Sequence, residues 1–152
     1  MGAVLQIDVD GAIVMLPWPA EGAERRRVVR MAVGGSADAA VYHRRTQLHV
    51  HGNGQSERLS MNLSAWVLAS VWRGVEITYG LYGTVVVTGP QLAALDESMA
   101  REVRAVCVAV AEVRAEWVVR QPAGEWQARA ELLAAAVMAW RRSAEGGAAA
   151  CL

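Results

Sequence analysis

Between Gln47 and Trp72 the apolar period changes from that of a strand to that of a helix, and this switch limits the fold more than any other feature. In Gln47–His51, Leu48 and Val50 alternate with Gln47, His49 and His51, which predicts a strand with one apolar face and one face carrying histidine. Gly52-Asn53-Gly54 turns the chain. Asn62 then opens a helix, because its side-chain oxygen can accept from a free amide of the first turn. Leu63, Trp66, Val67, Ser70 and Val71 follow at helical spacing, and Trp72 closes the helix before Arg73-Gly74. That strand and helix are the expected framework of a small α+β domain.

The flanking segments supply the rest of the sheet. Asp10-Gly11 lies between two β-rich runs, Val4–Val9 and Ala12–Leu16, and predicts a hairpin with a type I′ turn. Pro17-Trp18-Pro19 stops the second strand, with Trp18 either an exposed anchor or a lid on the sheet. Glu24–Val33 fits a short helix with Val28, Val29, Met31 and Ala32 inward, ended by Gly34-Gly35. Ser36–Arg44 reads as a third strand, Val75–Thr78 as a short one, and Thr84–Thr88 as a buried β-branched one.

Beyond Gly89 the pattern is helical. Thr88-Gly89-Pro90-Gln91 has the form of a capping box, which predicts one helix from there to Arg120, unless Asp96 caps a separate one. Gln121–Gly124 breaks it, and Glu125–Ser143 forms another. The chain therefore divides, on pattern alone, into an α+β domain (1–90), an antiparallel helical hairpin (91–145) and a small-residue tail (146–152). Apolar residues on the hairpin exceed what two helices can bury together. They pack on the sheet, pair with a second copy through Val106, Val110, Val113, Trp117, Leu133, Val137 and Trp140, or meet a foreign partner.

Composition removes whole classes of function. All fifteen cations besides histidine are arginine, so no Schiff-base, P-loop or general-base lysine exists. Fifteen acids balance them, and no global field points to nucleic acid or membrane. Cys107 and Cys151 lie too far apart in sequence to suggest a disulfide framework. With no signal peptide pattern and no apolar run of spanning length, a cytoplasmic protein is expected, without membrane or cofactor.

Three groups of residues could carry a site. His43, His49 and His51 fall on one predicted strand pair and could hold a metal; a solvated or interface face is the bland alternative. Arg25, Arg26, Arg27, Arg30, Arg44 and Arg45 could take an anion or an acidic surface, or simply face water. Cations at a helix start oppose its dipole, which hints at an anionic partner. Tyr79 and Tyr82, among glycines, could line a cleft or belong to a plain connection. No catalytic spacing of Ser, Cys, Asp or Glu is found, and a catalyst is not expected.

Four motifs carry a resemblance: Met31-Ala32-Val33-Gly34-Gly35, the run His49-Val50-His51-Gly52-Asn53-Gly54, Asn62 with Ala65, and Gly83 to Gly89. Together they resemble the domain-of-unknown-function family 3846 of bacteriophage, actinobacterial and plasmid genomes, over residues 1–90 only. Met61 and Leu63 flank Asn62 where members of that family often carry proline. The resemblance implies no activity. It implies a phage or mobile-element accessory protein, expected here to bind a host protein, such as a defence component, as a homodimer. The alternative is a nucleotide-like anion, or nucleic acid, held by the arginines.

Overall fold

Five strands form one antiparallel sheet in a computed structural model that describes residues 2–150, with side chains through residue 146. They are β1 (Leu5–Ile7), β2 (Ile13–Met15), β3 (Ala37–His43), β4 (Thr46–His51) and β5 (Val85–Thr88), ordered β2-β1-β5-β4-β3. The helices are α1 (Gly22–Val33), α2 (Leu63–Arg73), α3 (Glu97–Glu116) and α4 (Glu125–Ala150). The class is α+β with a C-terminal helical pair, as the sequence predicts.

β5 holds the centre of the sheet because all four of its residues suit burial on both faces. Val85 and Val87 join Leu5, Ile7 and Leu48 in the larger core, while Val86 joins Val4, Val29 and Val33 in a smaller one. α1 closes the smaller core, and Trp18 lies over it as a lid, its indole donating to the Leu92 carbonyl at 3.0 Å. α2 lies on the opposite face, and α3 and α4 pack on α2. The layers are therefore α1, sheet, α2 and the α3–α4 pair.

A middle layer cannot be amphipathic. Every residue of α2 from Ser64 to Trp72 is buried, so the single stripe expected from its spacing is replaced by contact all round. Asn62 fixes where this helix starts. Its side chain accepts from the Ala65 amide at 3.0 Å and donates to the carbonyls of Ile7 (2.9 Å) and Gly83 (3.0 Å). One fully buried amide thus ties the end of β1, the approach to β5 and the first turn of α2 together.

Four local expectations are corrected. The first hairpin has Asp8 accepting from Gly11 and donating to Ala12, with positive φ at Gly11 and not at Asp10. That is a three-residue loop with one left-handed glycine, not a two-residue type I′ turn. Val75–Thr78 forms no strand, since the Ile77 amide goes to Ser70 Oγ and its carbonyl to Trp66 Nε1. The capping box at Thr88 does not form: Thr88 Oγ1 donates to Gly89 and a 3₁₀ turn, Pro90–Leu92, follows. Asp96 caps α3, accepting from Met99 at 2.8 Å, which selects the shorter helix. α4 continues to Ala150, into the segment expected to be a separate small-residue tail, and Cys151 and Leu152 lie outside the described residues.

The helical pair is not an appendage. Trp117 donates to Glu131 and Trp140 to Glu102, so the two helices run antiparallel. Val106, Val110, Val113, Leu132 and Ala136 belong to one buried cluster with Leu5, Leu48 and Leu68, so no boundary at Gly89 divides the core. This also corrects the interface expected between copies. Val106, Val110 and Val113 are buried within the protomer, and Trp117, Leu133, Val137 and Trp140 pack against the same cluster. Much of the apolar surface of the pair is taken up by α2, while Val108, Val118 and Val119 stay exposed.

Candidate functional site

α1 begins at Gly22, two residues before the position its pattern suggests, and this changes the electrostatics. Glu24 then occupies the first turn and Arg30 the last, an arrangement the helix dipole favours. The conflict that hinted at an anionic partner is therefore absent. What remains is where each guanidinium goes.

The six arginines do not form one patch. Arg25 is structural: its Nε donates to the Pro19 carbonyl at 2.6 Å, another nitrogen to Leu92 at 3.1 Å, and its guanidinium lies over Trp18. Arg45 pairs with Asp96 and so braces the cap of α3. Burial pushes the Asp96 carboxyl up, but the Met99 amide and Arg45 outweigh it and hold it below the usual range. Arg27 and Arg44 are exposed. Arg26 and Arg30, one helical turn apart, line a groove between α1 and the β3–β4 strands.

That groove encloses about 450 Å³. Val29, Ala37, Ala39 and Leu92 give it apolar walls, and Ser36, Gln47 and His49 give it polar groups. No carboxylate lines it, unlike the hollows beside Arg129 and Arg104, which hold Glu76 with Glu125 and Glu112 respectively. His49 is buried, and burial lowers its pKa, so the ring is neutral near pH 7. Thr88 Oγ1 donates to Gly89 and therefore accepts from His49 Nε2 at 2.9 Å, which leaves the lone pair on Nδ1. The histidine row is thus covered by α1, not by the helical pair and not by solvent.

The three histidines occupy separate environments. His43 lies on the α2 side, its ring 5.9 Å from that of Trp72, and Nδ1 accepts from the Arg45 amide. Burial, then the charges of Arg45 and Arg44, lower its pKa. His51 accepts at Nδ1 from Asn53, and Nε2 lies 3.3 Å from Glu57. Its ring packs so close to the end of α1 that a Cβ at Gly35 would meet Nε2 at 2.7 Å. Among the described residues no group of three or more His, Cys, Asp or Glu is placed to hold a metal ion. The alternation of β4 and the bulge in β3 send the rings to opposite faces, which corrects the metal expectation.

Tyr79 and Tyr82 do line hollows. Both border one with Trp66, Glu76 and Arg129, and Tyr82 also borders a second of about 550 Å³ along the Gly52–Ser56 turn. Arg129 there pairs with Glu76 and Glu125, and His51 Nε2 lies beside Glu57. Tyr79 also spends its hydroxyl on Tyr42 at 2.8 Å. Cys107 is buried, and burial pushes its thiol up to about 12, far from a nucleophile's range. Ser36 and Leu92 escape a reading by motif, since only the packing of α1 brings them beside Gln47 and His49. No helix among the described residues is long and apolar enough to cross a membrane. No family model matches the chain, and neither the curated proteins nor the solved structures contain a match, so the resemblance over residues 1–90 rests on its sequence motifs alone.

Proposed function

We propose that this chain is a binding protein, not a catalyst, and that it takes an anionic ligand with an apolar or aromatic body in the α1–β3–β4 groove. One observation carries the reading: Arg26 and Arg30 line a largely apolar concavity whose lining has no carboxylate to match them. Guanidinium groups in such surroundings favour phosphate or carboxylate, and the fork of donors suits bidentate contact. The uncharged His49 ring and Gln47 offer hydrogen-bonding groups for a body such as a nucleobase. Thermal-shift titration with a panel of nucleoside phosphates tests this. Stabilisation by at least one of them, lost in Arg26→Ala and Arg30→Ala, is expected; no shift with any member refutes it.

A second reading follows the resemblance to phage and mobile-element proteins and assigns a host protein as the partner. The favouring observation is Trp126, 77 % exposed at the turn between α3 and α4, with Val118 and Val119 also exposed there. An exposed tryptophan is the type of anchor that dominates protein interfaces. A host protein that is retained by the wild type and lost by Trp126→Arg supports it; equal retention by both removes it.

A further inference from the structure

The helical pair presents an outer face that the core does not use. On α3 the buried residues, Met99, Val103, Val106 and Val110 among them, point one way, and Val108 stands at the middle of the opposite side, 54 % exposed. Arg104 lies one turn before it and Glu112 one turn after, and neither has an ion-pair partner among the described residues. A groove beside Val108 runs between α3 and α4, floored by Ala105, Ala109 and Ala139 and bordered on the α4 side by Arg142 and Ser143. On α4, Met138 is 59 % exposed.

We infer that this face binds a second copy of the chain, with the two α3 helices antiparallel about a two-fold axis at Val108. The charge pattern selects that occupant. Rotation about an axis through Val108 brings a residue before it opposite the residue equally far after it on the partner helix. Arg104 therefore meets Glu112 of the other copy, and the same pair recurs on the far side of the axis, about 6 Å along each helix from it. Val108 meets itself, and Ala105 meets Ala111, small enough for close helix approach. A foreign helix would have to reproduce that pattern by chance; a second copy carries it. An isologous contact of this kind closes as a dimer and cannot propagate into a filament. The interface differs from the one the sequence suggests, because it uses the outer residues of α3 and not the inner valines.

Sedimentation velocity at tens of micromolar tests the inference without any ligand, so its outcome is separate from that of the anion-binding reading. The wild type is expected to be a dimer. Arg104→Glu or Glu112→Arg alone places like charges across the axis and is expected to raise the dimer Kd by at least about tenfold. The double variant restores opposite charges and recovers the dimer. In a Cys151→Ser background, Val108→Cys cross-links copy to copy on mild oxidation, since the axis places the two sulfurs together. Unchanged circular dichroism in each variant shows that the fold is kept. A monomeric wild type, a dimer indifferent to either charge reversal, or a double variant that stays monomeric overturns the proposal.

Discussion

Asn62→Ala is expected to be among the most damaging single changes in this protein, although it removes only a few atoms. It deletes three side-chain hydrogen bonds and leaves the Ile7 and Gly83 carbonyls and the Ala65 amide without partners in the interior. A buried backbone group left unpaired costs roughly 1–3 kcal/mol, and partial relaxation keeps each near the lower end. The sum is about 3–5 kcal/mol, the loss of the helix cap included. Set against a typical total of about 5–15 kcal/mol, that is a large fraction. The melting temperature should fall by roughly 10 °C for a chain of this size. Urea unfolding followed by circular dichroism and by the fluorescence of the six tryptophans measures it. Asn62→Asp separates cap from tie. While ionised, its carboxylate can still accept from Ala65 but has nothing to donate to two carbonyls, so it should be worst at neutral pH and recover in part on protonation. A loss below about 1 kcal/mol for Asn62→Ala would refute the joint assigned to this residue.

Three further outcomes follow from the packing and the titrating groups. Leu132→Ala empties a fully buried position shared by α4 and the central core; it should cost roughly 2–5 kcal/mol and lower one cooperative transition. A separate early transition of the helical pair would contradict the single core. Burial raises the Glu102 pKa, so the folded state prefers the protonated acid, and stability is lost as pH rises from the ordinary Glu range through the raised value. Glu102→Gln keeps an acceptor for the Trp140 indole and should match or exceed the wild type at neutral pH, with the difference vanishing in acid. His49 titrates the other way. Its lowered pKa gives stability that is complete above the ordinary histidine value and lost as pH falls below it, so His49→Gln should flatten that part of the stability profile.

Local chemistry was legible at several short polar motifs, though not at Asp10-Gly11 or at the capping-box pattern from Thr88. Asn62, Asp96, Gly34 and Gly74 end or begin helices where their side chains, or the lack of one, allow it, and the Val-rich run before Gly89 is a buried strand. Placement in space was not legible. Nothing near Thr84–Thr88 states that it pairs with β1 on one side and β4 on the other. The inward valines of α3 look the same in sequence whether they meet α2 or a second copy, and only the packing decides. The basic residues between Arg25 and Arg45 form one cluster on paper, yet Trp18, Leu92 and Asp96 draw two of them away. The alternation of the histidine row was legible, but its cover was left open, because only the packing places α1 over that face of the sheet.

The most direct test of the binding assignment is a residue-resolved map of amide chemical shifts during titration with a nucleoside phosphate. The groove predicts that the perturbed amides cluster at residues 26–30, 36–39 and 47–49, and that Arg26→Ala weakens the response there. Perturbations confined to the Gly52–Ser56 turn or to the α3–α4 tip, or none at any tested phosphate, would contradict it.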